Sequence, residues 1–192
     1  MSWLNILTAT GLESSFGSDK KAFNLTSNYI GPLQVGEDTA KAYPDIIKSR
    51  EDLLDLEKSA KIYSAEVKKR TKDNKSWKKW SINKRSEDLR IPGALVEWIT
   101  WNQGRGGAID IITTASHGEG VYESGSGAKT SGNLSEDVKK NILSNLSSQA
   151  KLKAEKVSSD KELAEIYIQH VKVKWIENHK TATERFGWIQ PR

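Results

Sequence analysis

The apolar positions of this chain recur mostly at helical spacing. Over residues 2–16, Trp3, Ile6, Leu7, Thr10 and Ser14 follow steps of three and four, which predicts a helix that Gly17 ends. Residues 18–35 are polar and hold turn formers, Asn24, Ser27, Asn28 and the Gly31-Pro32 pair, so a loop is expected there. A short helix near 37–42 should stop before Pro44. From 50 to about 70 the pattern is again helical, with Leu56, Ala60, Tyr63 and Val67 on one stripe and Glu and Lys opposite. Pro92 suits the first turn of the next helix and Gly104 its exit, with Leu95, Trp98, Ile99 and Asn102 sharing a face. Residues 116–133 are rich in Gly and Ser and read as a flexible linker or surface loop. Two further helices are expected over 135–157 and 160–178, the second opened by a capping box from Ser159 to Glu162. No internal repeat and no sustained strand alternation interrupts this picture, so the fold class is mainly α.

Composition narrows the class of function only a little. The 192 residues suit one compact domain, or one domain with a small appendage. No apolar run nears the roughly 20 residues a membrane-spanning helix needs. Residues 1–10 have neither a basic lead-in nor a small-residue cleavage site, so no secretory signal is expected. The chain has no cysteine, which excludes disulfides, thiol nucleophiles and cysteine-held zinc. A net charge of +5 favours anionic partners, among which nucleic acid, acidic lipid and the bacterial wall all qualify.

The charge is concentrated in residues 68–90, a basic segment with Trp77 and Trp80 interleaved. Nucleic-acid surfaces share that pattern. A solvated basic loop anchored by two indoles explains it equally and is the preferred reading, so no nucleic-acid partner is expected. A variant also fits, with the rings against sugar faces and the lysines toward acidic peptides. His117, His170 and His179 are scattered without metal-ligand spacing, and neither metal nor cofactor is expected.

Three short segments carry candidate chemistry. Glu13 shares a helix face with Ile6, Ala9, Thr10 and Phe16. A carboxylate on an apolar face is partly desolvated, which lifts its pKa toward the range of a general acid. Taken alone, a solvated glutamate at a helix end explains it better. In the segment around Ser27, Gly31, Leu33 and Gln34, glycine and proline kinks can bring backbone and amide groups close to a ligand; a structural turn explains it as well. Asn102, in Trp101-Asn102-Gln103-Gly104, falls on the apolar face of its helix, where an unpaired amide would cost on the order of 1–3 kcal/mol. It therefore needs a partner.

Taken together and in order, E-S-S-F from Glu13, S-N-Y-I-G-P-L-Q-V from Ser27 with T-A at Thr39-Ala40, and W-N-Q-G from Trp101 resemble the soluble lytic transglycosylases of the lysozyme superfamily. Those catalytic domains carry E-S-x-F, S-x-x-G-x-x-G-L-M-Q with T-A after it, and Y-N-x-G. The resemblance covers about residues 1–115. It implies a lysozyme-like helical lobe with a sugar cleft at 1–115, a Gly/Ser-rich linker at 116–133 and a C-terminal helical extension of unknown role at 134–192.

By the same resemblance Glu13 is the single catalytic acid/base. Substrate contacts fall to Ser14, Ser27, Tyr29, Gly31 and Gln34 in the first part and to Trp101, Asn102 and Gln103 in the second. The implied activity cleaves the β-1,4 bond between N-acetylmuramic acid and N-acetylglucosamine and leaves a 1,6-anhydro end. Two departures stand out. Trp101 replaces the family tyrosine and removes a hydroxyl, because an indole only donates. Pro32 sits inside the G-L-M-Q-like stretch, as in the phage internal-virion members of the family. The implied partner is bacterial peptidoglycan, with a phage virion assembly as a second, and the implied place of action is the bacterial wall after synthesis in a host cytoplasm. Goose-type lysozymes resemble the chain too, but carry an aspartate where Gly36 lies here. The rival readings are such a muramidase and a non-catalytic virion or wall-binding module.

Overall fold

The computed structural model describes residues 2–72, 74–117, 122–123, 129–130 and 133–186. The fold is mainly helical, as the periodicity predicts. Among the described residues no helix is long and apolar enough to cross a membrane. The chain divides into two compact units, residues 1–66 with 174–192, and residues 67–173.

The first unit opens with α1 (Trp3–Ser14), whose N-terminus is capped by Ser2 accepting from the Asn5 N–H at 3.3 Å. Ile6, Leu7, Ala9 and Thr10 are buried. The buried hydroxyls of Thr8 and Thr10 donate to the carbonyls of Leu4 and Leu7, so neither is left unpaired. The helix stops before the predicted Gly17. Ser15 and Phe16 take left-handed φ values of 50° and 56°, and the Ser15 N–H closes the last turn onto Thr10 and Gly11. Gly11 has no room for a side chain, since a Cβ there would lie 2.6 Å from Asn178 Oδ1.

After a 3-10 turn at Lys20–Phe23, two short strands, β1 (Tyr29–Ile30) and β2 (Val35–Gly36), pair antiparallel with Tyr29 opposite Gly36 and Ile30 opposite Val35. The predicted loop over 18–35 is thus a small hairpin. Helix α2 (Glu37–Lys41) follows, then a 3-10 turn at Arg50–Leu54 and α3 (Leu56–Arg70). Ala22, Ile30, Leu33, Val35, Leu53, Ile62 and Tyr63 form the unit's interior. Burial of each large apolar side chain contributes on the order of 1.5–3 kcal/mol relative to exposure.

The second unit begins at the last turn of α3. The segment 68–90, expected as a basic loop, instead forms α4 (Lys75–Lys79) and α5 (Ile82–Asp88). Asn74 caps α4 by accepting from the N–H groups of Ser76 and Trp77. The two indoles do anchor it: Trp77 and Trp80 are buried, and Trp77 Nε1 donates to Asn83 Oδ1 at 2.9 Å.

Helix α6 (Gly93–His117) does not exit at Gly104. The glycine breaks it with φ 70° and ψ 171°, and helix resumes immediately, because Ala108, Ile109, Ile111, Ile112 and Ala115 supply a further buried face. The loop expected at 116–133 lies outside the described residues, apart from the end of α6, the paired strands β3 (Tyr122–Glu123) and β4 (Lys129–Thr130), and Asn133. The single helix expected at 135–157 is two, α7 (Glu136–Asn145) and α8 (Ser148–Ala154). Leu146 is extended between them and Ser147 caps the second. Helix α9 (Asp160–Phe186) opens at the expected cap, where Ser159 accepts from the Glu162 N–H at 3.2 Å, and runs past 178.

Candidate active site

Glu13 occupies the last turn of α1, where the buried run Ile6–Gly11 gives way to the left-handed pair Ser15-Phe16. The residue is half-buried, and its Oε1 is sealed from solvent.

The neighbouring Ser14 fixes this turn. Its buried hydroxyl lies 3.0 Å from the Thr10 carbonyl and 2.9 Å from the Pro32 carbonyl, and accepts from the Gly17 N–H at 3.2 Å. The 2.9 Å contact ties the end of α1 to the turn of the hairpin. The Gly31-Pro32-Leu33-Gln34 segment is therefore joined to Ser14, the residue beside Glu13.

That hairpin turn is tightly specified. Gly31 has φ +81°, and a Cβ there would run into the carbonyl of Leu53. The Gly31 N–H donates to Ala22 O at 2.6 Å. Gln34 also has a positive φ, 50°, and its amide donates to Gly31 O at 2.8 Å and Ala22 O at 3.3 Å. Its amide nitrogen thus braces the turn.

Ser27 and Tyr29 lie at the start of the same hairpin. Ser27 is half-buried, and its carbonyl accepts from Arg50 Nη2 at 2.7 Å. Tyr29 is 59% exposed, and its ring covers Gly36, where an added Cβ would meet it at 3.1 Å. Position 36 therefore has no room for an acidic side chain without displacing Tyr29. Glu37, next along, is held by Lys41 at 3.0 Å and Arg50 at 3.3 Å, and Lys41 above all keeps its carboxyl below the usual range.

The remaining motif lies in the second unit, at the break in α6. Trp101 and Asn102 are half-buried and Gln103 is buried. The partner that Asn102 needs is a set of side chains. Gln103 Nε2 donates to Asn102 Oδ1 at 2.8 Å and to Tyr167 Oη at 3.1 Å, while Asn102 Nδ2 reaches Asn145 Oδ1 only at the long limit of 3.5 Å. Gln103 is thus part of a buried network, and its own Oε1, also buried, has no hydrogen-bond partner among the described residues.

Arg70 reads in the sequence as one more basic residue of 68–90. In the structure its Nη1 lies 3.4 Å from the carbonyls of Thr100 and Trp101, and its guanidinium carbon 5.6 Å from the Trp101 ring centroid. The break at Gly104 leaves carbonyls at the end of the first helical segment without helical partners, and a cation there is favoured by the helix dipole. The only signal in the sequence was the combination of an arginine, rather than a lysine, with an aromatic in the W-N-Q-G motif.

Among the described residues no group of three or more His, Asp or Glu side chains is placed to hold a metal ion. Two half-buried carboxyls on α6, Glu97 and Asp110, are pushed up by burial. Compared with protein-family models, curated proteins and solved structures, the chain matches none.

Proposed function

We propose that the chain is a peptidoglycan lytic transglycosylase that uses Glu13 as its only acid/base. The observation that carries this reading is the Glu13 carboxyl itself, with one oxygen shut off from water at a helix end tied through Ser14 to the Gly31–Gln34 turn. The order of E-S-S-F, G-P-L-Q and W-N-Q-G along the chain adds the resemblance, and the substrate class follows from it.

In this mechanism Glu13 protonates the glycosidic oxygen as the bond from the muramic acid C1 breaks, with the substrate's own acetamido group assisting at that carbon. The Glu13 carboxylate then takes the proton of the sugar's 6-hydroxyl, whose oxygen bonds to C1 and closes the anhydro ring. The attacking group is already part of the substrate, so proximity does the work that a positioned water does in a hydrolase. A hydrolytic route with two carboxylates needs a second one about 5 Å or about 6.5–9.5 Å from the first. Gly36 under Tyr29 and the ion-paired Glu37 offer none at the place where goose-type lysozymes keep theirs. By the same resemblance the enzyme is phage-borne, carried in a virion or made for lysis.

The test is Glu13→Gln on purified sacculi, read by turbidity and by mass spectrometry of the released fragments. Wild-type protein should release 1,6-anhydro muropeptides, and the variant should bind walls yet clear them roughly 10²–10⁴-fold more slowly. Reducing-end fragments would make the protein a muramidase. Full clearance by the variant would remove Glu13 from the mechanism.

A further inference from the structure

The first unit holds a groove of about 380 Å³ that the proposed chemistry does not use. That size lies at the small end of the range for ligand sites. Its apolar wall is Ile30 of β1, Ala40 of α2, Pro44 and Ile47 of the loop that follows, and Leu53 of the 3-10 turn. Ile30, Ala40 and Leu53 are buried, Ile47 is half-buried and Pro44 is exposed. An aliphatic surface thus runs from the interior of the unit out to solvent.

Four charged side chains line the same groove, and three of them are already committed. Glu37 holds Lys41 at 3.0 Å with one carboxylate oxygen and Arg50 at 3.3 Å with the other. Lys41 also lies 3.8 Å from Asp38, and Arg50 donates through its remaining nitrogens to the carbonyls of Leu25 and Ser27. Lys48 is the exception. It is exposed and makes no ion pair among the described residues. Asp52, which accepts the Lys48 backbone N–H, has its carboxylate paired with Lys58.

This pattern decides among occupants. The one carboxylate in the lining is paired twice, so a cationic ligand finds no partner. None of the lining residues is aromatic, so neither a sugar face nor a nucleobase has a ring to stack on. A polyanion would leave most of its charge unmatched by a single lysine. One negative charge on an aliphatic chain fits. We propose that this groove binds a free aliphatic carboxylate of medium chain length, with the chain against Ile30, Ile47 and Leu53 and the carboxylate at the Lys48 ammonium. The proposal stands apart from the wall-cleaving reading, because none of these residues takes part in that mechanism.

The experiment titrates the isotope-labelled full chain with butyrate, hexanoate and octanoate, and with octylamine as the cationic control, followed by amide chemical shifts. Saturable shifts are expected at Ile30, Ala40, Ile47 and Leu53, with affinity rising about 2–4-fold for each added methylene. Octanoate should bind more tightly than octylamine. Lys48→Ala should weaken octanoate roughly 2–5-fold, the range of an exposed charge pair. Lys48→Glu should reverse the order of octanoate and octylamine, which a general loss of fold would not reproduce. No saturable binding, shifts that map away from the groove, affinity indifferent to chain length, or an order unchanged in Lys48→Glu would overturn the proposal. Tighter capture by vesicles of anionic phospholipid than by free octanoate would overturn it too, since the face would then be a membrane contact. Glu13→Gln protein should bind octanoate like wild type, so loss of wall cleavage and loss of this site are separate results.

Discussion

Two places in this molecule break a helix or turn next to a residue singled out by the motifs, and they stabilise the break in opposite ways. At the end of α1 and the adjoining hairpin, polar side chains are committed to backbone. Ser14 reaches the Pro32 carbonyl, Gln34 braces the Gly31 and Ala22 carbonyls, and Asp52 accepts the N–H groups of Lys48 and Ser49. At the break in α6, side chains are committed mainly to one another, in the Asn102–Gln103–Tyr167 network, while Arg70 reaches backbone. Backbone tethers fix the path of the chain and leave one side chain, Glu13, at the turn they define. A side-chain network fixes rotamers instead, and it is complete only if every member is in place.

The largest effect should come from disturbing the first kind of anchor. Gly31→Ala puts a Cβ into the Leu53 carbonyl at a residue with φ +81°, so steric overlap adds to left-handed strain. Destabilisation of roughly 3 kcal/mol is expected, read as a lower urea midpoint at an unchanged slope. Wall clearance should fall with it, because the turn is tied to the residue beside Glu13. A variant as stable as wild type would mean the hairpin yields locally and does not set the turn.

The second anchor should break more gently. Tyr167→Phe removes the hydroxyl that Gln103 Nε2 shares with Asn102, in a place where Gln103 Oε1 already has no hydrogen bond among the described residues. A loss of about 1–2 kcal/mol is expected, the usual cost of a buried polar group deprived of one partner. Amide exchange around the α6 break should quicken while the hairpin stays protected. Equal loosening of both regions would erase the distinction drawn between them.

How far the sequence revealed these two regions depends on which residues carry them. Helix α1 was legible because its buried face repeats at the helical period, and the need of Asn102 for a partner followed from the period of α6. The hairpin was not legible: two strands of two residues are too short to show alternation, and what holds them, Ser14 to Pro32 and Gly31 against Leu53, is tertiary. Residues 68–90 misled for a related reason. Their lysines dominate the composition, while the α4–α5 pair is specified by an Asn74 cap and two buried indoles, a few residues among many charges. Gly104 misled differently, since a glycine that ends a helix and one that breaks and restarts it look alike until the apolar residues beyond it are found buried. Arg70 was hidden because its targets are carbonyls some thirty residues away.

The smallest expected effect separates the two anchors by pH. Asp52 receives a hydrogen bond from Lys58, the main cause of its shift, and the N–H groups of Lys48 and Ser49 add to it; together they hold its carboxyl down at about 2. An unfolded aspartate titrates near ~3.9. The folded value is the lower, so the unfolded chain binds the proton more readily, and this contribution to stability is whole above ~4 and is lost as pH falls toward about 2. Asp52 lies in the 3-10 turn whose Leu53 carbonyl packs against Gly31, so acid should loosen the support of the hairpin first. The Asn102–Gln103–Tyr167 network contains two amides and a phenol, none of which changes charge in that window. Hydrogen exchange followed from pH 5 to pH 2 should show protection fall at residues 30–36 before it falls at 100–104, and Asp52→Asn should abolish the difference in order. If both segments lose protection together in the wild type, acid is acting through the chain as a whole, and the hairpin's tethers are no more acid-sensitive than the network in α6.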